Sequence, residues 1–326
     1  MSPLQFEQRH GADWQRLAEQ LDALETGRPG VDAAVLLKRY RQACEHLALV
    51  QARAWPLHLA QRLGALTQRA HRQIYREPPA SLARLARLVR VQFPRRLRAH
   101  PRLLLLATLA FMVPLLALGV ATWLDPAFAL TVMDAQQLSH FDQMYGDDSG
   151  AMGRQRGADS DWVMFGFYIR NNISVAFQCF ATGLVFGVGT LFFLVANGVL
   201  IGVAAGYLTA RGLGHNFWPF VATHGAFELT AIVVAGMAGL MLGRALLAPG
   251  RDTRGLALRS AARQAAVLVG GAICMLVVAA ALEAFWSSAR WVADGVKYGV
   301  AAACWAGVIA YFWRAGRGAA DDTPNR

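Results

Sequence analysis

His224 and Glu228 stand four residues apart inside one long apolar stretch, and Glu283 stands inside another. That spacing is about one helical turn, so His224 and Glu228 share a face. An imidazole beside a carboxylate can exchange a proton, hold a cation or form a hydrogen bond. A carboxylate in hydrocarbon costs roughly 2.5–3.5 kcal/mol on insertion scales. Helix formation requires no such residue, so function is sought here first. Glu228 and Glu283 are the only acids within the stretches read below as membrane spans. Arg170, Asn171 and Asn172 open one span and Lys297 opens another, completing the polar set.

Three readings of this set are open. The residues can be packing contacts that fix helix register, with Arg170 or Lys297 neutralising Glu283 and His224 bonded to Glu228. They can form a membrane-embedded site for a ligand, an ion or a proton. They can bind a metal, for which His224, Glu228 and Glu283 are weak candidates. His-x-x-x-Glu is not the HExxH pair of zinc proteases, and only Glu283 is at hand as a third ligand. No metal is assigned from the sequence. A serine-nucleophile motif, a P-loop and a GxGxxG after a strand are absent, so neither catalysis nor a cofactor is expected. Cys44, Cys179, Cys274 and Cys304 form no CxxC pair and read as small packing residues.

The elements that position these residues are apolar helices. Of the 326 residues, 55% are hydrophobic and 16% charged, against about 25% charged in soluble domains. Residues 103–123 form a run of 21 without a charge, enough for a helix to cross a core roughly 30 Å thick. Further runs at 173–195, 197–210, 217–243, 264–286 and 298–313 give six expected spans. The fold class is therefore all-α: a polytopic membrane bundle over residues 101–315, behind a basic helical domain over 1–100 and before a short tail, 316–326. No cleavable signal peptide is expected, because the first apolar run begins a hundred residues in.

Charge orients the bundle. Residues 1–102 carry 18 Lys/Arg against 8 Asp/Glu, whereas residues 124–162 carry seven Asp against Arg154 and Arg156. Arg95, Arg96, Arg98 and Arg102 abut the first span, so the positive-inside rule puts the N-terminus in the cytoplasm. Alternation then puts 124–162 outside, a hairpin at Asn197 and Gly198 inside, 244–263 with its five arginines inside, and the tail inside. The agreement of the later arginines supports an even number of spans. Both termini are expected in the cytoplasm. The basic segment is expected to meet anionic lipid headgroups rather than nucleic acid.

Leucines at helical spacing mark short helices in residues 1–100, broken at residues 26–30, at Trp55 and Pro56, and at residues 77–79. Residues 81–93 place Leu82, Leu85, Leu88 and Phe93 opposite Arg84, Arg87 and Arg90, the pattern of an interfacial helix. Pro94 and Pro101 are expected to break the chain before the first span. A short helix is expected within residues 128–144 of the external loop. Small-residue ladders, Gly183 with Gly187 and Gly198 with Gly202 and Gly206, let helix backbones approach closely within or between subunits. Below Glu228 the same face continues as Ala231, Ala235, Gly239 and Gly243, an interior face.

Read in order, Asn171 and Asn172, Gly183 and Gly187, Asn197 with Gly198 and Gly202, His224 with Glu228, and Glu283 before Ala284 and Phe285 resemble the signature of the stage II sporulation protein M family. The resemblance covers residues 100–313. The extension before it is similar to that of longer bacterial members outside spore-formers. The resemblance implies a polytopic inner-membrane protein without established catalysis. In spore-formers the family member is a membrane anchor working with peptidoglycan-degrading partners. Longer members are often encoded beside a MoxR-type AAA ATPase and von Willebrand A-domain proteins. No sporulation-specific feature is present here. The expected function is a non-enzymatic scaffold or anchor for an envelope-associated complex, with a second copy of the chain, as a homodimer, among its expected partners. The alternative is a transporter or channel using a Glu/His site open to the outer side.

Overall fold

The structure, a computed structural model, describes residues 2–26, 32–74, 82–146, 158–289 and 291–318, and every regular element there is helical. The chain divides into two compact units, Met1–Ser81 and Leu82–Arg326.

The first unit holds α1 (Pro3–Glu25), α2 (Ala33–Ala52) and α3 (Leu57–Ile74). Ser2 and Gln5 form a capping box that starts α1, and Asp32 caps α2. Phe6, Trp14, Leu17 and Leu21, spaced eight, three and four residues apart and so on one face of α1, meet Leu36, Ala43 and Val50 of α2 and Leu59 and Leu63 of α3 in one core. Trp14 Nε1 donates to His46 Nδ1 at 3.0 Å. Partial burial, then the neighbouring His10, push the His46 imidazole below its ordinary value. Arg69 bridges Asp22 at 2.6 Å and Glu25 at 2.7 Å, and its guanidinium holds the Glu25 carboxyl below the usual range. The break at Trp55 and Pro56 separates α2 from α3. The other two expected breaks fall largely on residues 27–31 and 75–81, outside the described residues.

The second unit opens with α4 (Leu82–Arg87), a π-helical turn (Leu88–Gln92) and α5 (Phe93–Ala99). Leu82 and Leu85 are exposed, as are Arg84, Arg87 and Arg90, whereas Phe93 of the same expected apolar face is buried in the bundle core and Leu88 packs against that core. Ser81 lies outside the described residues. Pro94 does not end the helix. Proline lacks an N–H and crowds the carbonyl four residues back, and the wide π turn directly upstream relieves both problems.

Then come α6 (Pro101–Leu124), a 3-10 turn (Pro126–Thr131), α7 (Ala135–Tyr145), α8 (Ala158–Ala181), α9 (Val188–Ala210), α10 (Gly214–Leu247), α11 (Arg254–Ala281) with a π-helical turn (Leu282–Ser287), and α12 (Asp294–Arg314). Five of these are long and apolar enough to cross a membrane: α6, α9, α10, α11 with its π turn, and α12. The sixth long helix, α8, carries Asp161, Arg170, Asn171 and Asn172. The chain is thus an all-α polytopic membrane bundle. The middle of the expected external loop, 147–157, lies outside the described residues.

Two span boundaries differ from the sequence reading. The runs 173–195 and 197–210 are not two spans meeting at Asn197 and Gly198. The chain turns at residues 182–187, and α9 runs unbroken through both residues. Phe186 and Gly187 take φ of 50° and 81° there, a left-handed pair that glycine eases. Asn197 and Gly198 imitate a turn signal, but Gly198 serves close approach. A Cβ on Gly198, Gly202 or Gly206 would strike the backbone of Phe111, Leu115 or Gly119, one rung of α6 after another. Asn197 donates to Phe193 O of its own helix at 2.7 Å. A Cβ on Gly183 would strike Gly239 of α10, and one on Gly243 of α10 would strike the Gly187 backbone. Both ladders therefore pack within the chain.

α10 is the central helix: 78% of its most apolar window is buried, against 11% for α6. Ala231, Ala235, Gly239 and Gly243 are all buried, as an interior face requires. One end of the bundle gathers the arginines. Arg96 and His100 reach Gln264, and Arg95 and Arg98 donate to the carbonyls of Gly316, Phe312 and Ala315. Arg244 lines a cleft with His100 and Gln264 at this end. The opposite end holds α7 and the polar set.

Candidate membrane-embedded site

The polar set is assembled by three helices around α10. α10 carries His224 and Glu228 one turn apart, with His224 Nε2 3.8 Å from Glu228 Oε2. The π turn after α11 supplies Glu283 and Ser287. Its wider wind is a common device at functional sites. It presents both side chains to α10: Ser287 Oγ lies 3.1 Å from His224 Nδ1, and Glu283 joins His224 and Glu228 in a cluster whose ligand atoms lie within 4.8 Å of one another. α8 supplies Asn172, which is 3% exposed. Its carboxamide adjoins Glu283, yet its Nδ2 completes no hydrogen bond, while its Oδ1 accepts from Asn171 at 3.1 Å. The His224 ring meets Phe220 edge-on at 5.4 Å between centroids.

The expected cations take other places. Lys297 is buried and donates from Nζ to Ser287 O at 3.1 Å, and its own carbonyl accepts from Thr223. It therefore braces the π turn that holds Glu283 and Ser287. Arg170 is exposed. Among the described residues no ion pair joins either cation to Glu228 or Glu283.

A cavity of about 780 Å³ opens beside the cluster. His224, Glu228, Glu283 and Asn171 lie on its wall, and Tyr145, His140 and Gln137 of α7 face them. Sequence spacing did not bring α7 to the site, because its contacts are non-local. Asp134 and Gln137 start α7 with a capping box. Tyr207 OH donates to Asp142 Oδ2 at 2.9 Å, Asn216 Nδ2 donates to Tyr145 O at 2.9 Å, and the Tyr145 ring packs edge-on against Phe217 at 5.3 Å. These contacts clasp α7 to α9 and α10. Burial raises the Tyr145 phenol above its ordinary value, and Glu283, Tyr168 and Glu228 add to the shift. Tyr145 thus stays a neutral hydroxyl facing the acids. Ser287 was findable from the sequence, four residues beyond Glu283 on the same wind.

One imidazole and two carboxylates within 4.8 Å of one another are donors of the types that could hold a divalent ion, and the cavity wall adds polar contacts for a small solute. Residues 104–288 match the family model described as Stage II sporulation protein M. Residues 4–76 match one described as Domain of unknown function (DUF8413). No curated protein and no solved structure matches.

Proposed function

The chain belongs to the stage II sporulation protein M family, and from that membership we propose that it is a non-catalytic inner-membrane anchor for an envelope-associated complex. One observation carries the reading: a helical unit with its own core, Met1–Ser81, shares the chain with a membrane bundle. Such a unit has no part in building the bundle core, and it gives a partner a folded surface. The arginine-rich end of the bundle is read as cytoplasmic and the α7 end as external. A MoxR-type AAA ATPase and von Willebrand A-domain proteins are the partners proposed from the family resemblance. The test is membrane fractionation of cells with and without this chain. The ATPase is expected to leave the membrane fraction when the chain is absent; an unchanged distribution would exclude anchoring of that partner.

A second reading has its own observation. The 780 Å³ cavity, apolar over most of its wall and polar at Glu228 and Glu283, fits a bundle that binds or passes a solute with both apolar and polar parts. Glu228→Gln and Glu283→Gln separate the two. Loss of a cellular phenotype with partner binding and thermal stability intact would favour the solute site. Loss of stability alone would favour the anchor.

A further inference from the structure

We propose that His224, Glu228 and Glu283 form a three-ligand site for a divalent transition-metal ion of the zinc class, with its open position facing the cavity beneath α7. The inference takes the cluster as a binding site, as the second reading does, but requires no solute flux.

Four observations carry it. The three donors come from two elements and lie within 4.8 Å of one another. Tetrahedral ligands about 2.0–2.2 Å from zinc stand about 3.4 Å apart, so the 3.8 Å from His224 Nε2 to Glu228 Oε2 is already close to that edge. Side-chain rotations that shorten the widest 4.8 Å separation by about 1.4 Å close the rest.

The imidazole is also set for this role. A ligating histidine holds its second nitrogen in a hydrogen bond that fixes the ring. Here Nδ1 faces Ser287 Oγ at 3.1 Å and leaves Nε2 toward the acids.

Charge argues in the same direction. Two carboxylates share an apolar bundle, while Lys297 is turned to the Ser287 carbonyl and Arg170 is exposed. A divalent ion would balance the pair, and an imidazole donor selects a transition metal over magnesium or calcium.

Finally, the cluster is not closed on itself. Asn172 is 97% buried beside Glu283 with an Nδ2 that completes no hydrogen bond. Drawing Glu283 toward an ion changes the position of that amide's neighbour and lets it serve as an outer partner of the carboxylate.

The experiment uses the full chain in detergent, with any affinity tag removed, stripped by chelator and titrated with Co²⁺ as the spectroscopic probe. One Co²⁺ per chain is expected, with the visible bands of a four-coordinate ion, erased by one equivalent of Zn²⁺. Glu283→Gln should weaken binding at least 100-fold, and Ser287→Ala about 10-fold. No such bands from the unaltered chain, as a proton-neutralised pair would give, would overturn the site. So would Co²⁺ binding unchanged by Glu283→Gln and His224→Ala in variants that keep their helicity and elution volume. Neither result depends on whether the ATPase is anchored.

Discussion

Ser287 Oγ lies 3.1 Å from His224 Nδ1 and ties the π turn after α11 to the central helix. Both side chains are buried. Ser287→Ala should cost about 1–3 kcal/mol, because it strands a buried imidazole nitrogen. Ser288→Ala is the control. Ser288 donates to Ala284 O of its own helical stretch, and its loss should cost under about 1 kcal/mol. Thermal unfolding in detergent compares them, and equal shifts would show that the Ser287 contact does not hold the helices.

Glycine substitutions should split by what a Cβ would meet. On Gly202 it would strike the Leu115 backbone, so Gly202→Ala should destabilise by about 1–3 kcal/mol. Gly64 is mid-helix in α3 with nothing within 4 Å, so Gly64→Ala should stabilise the first unit by about 0.5–1 kcal/mol. Melting of each unit, followed by hydrogen exchange of its own helices, reads the signs. A tolerated Gly202→Ala would refute the tight α6–α9 contact.

The first unit should loosen in mild acid. His46 is folded with its imidazole below the ordinary value, by burial first and His10 second. The unfolded chain then binds the extra proton more readily. The resulting stability is present above about pH 6.5 and is lost as pH falls below it. Protonation also removes the Nδ1 lone pair that accepts from Trp14. Protection factors in α1 and α2, corrected for intrinsic exchange, should fall between pH 7.5 and 5.5, and His46→Gln should flatten that dependence. A drop of equal size in the variant would assign it elsewhere.

Orientation can be read with single cysteines. Gln136 on α7 and Asp252 between α10 and α11 are exposed at opposite ends of the bundle. Gln136→Cys should react with an impermeant maleimide in intact cells, and Asp252→Cys only after lysis. The reverse pattern would invert the topology.

The membrane class, the interior face of α10 and the meeting of His224 with Glu228 were legible, because apolar length and one-turn spacing are local signals. The two glycine ladders were legible as packing surfaces, but not their partners, since Phe111, Leu115 and Gly119 carry no mark of what faces them. The turn after α8 was hidden by an apolar run continuing through it, and Asn197 with Gly198 supplied a false turn in its place. Pairing Lys297 with Glu283 by charge failed for a similar reason. The backbone of the π turn puts the Ser287 carbonyl within reach of Nζ, and no residue type announces a carbonyl. The roof of the cavity came from α7, whose clasp through Asp142 and Tyr207 spans 65 residues of sequence.

The anchor reading meets its most direct test at the first unit. A photo-reactive amino acid at Lys38, exposed on α2, reports what touches that unit in living cells. The expected result is an adduct with the MoxR-type ATPase or a von Willebrand A-domain protein, absent when the same label is placed in the chain of cells lacking that partner. Adducts with lipid alone, at Lys38 and at other exposed positions of α1 to α3, would contradict the anchor.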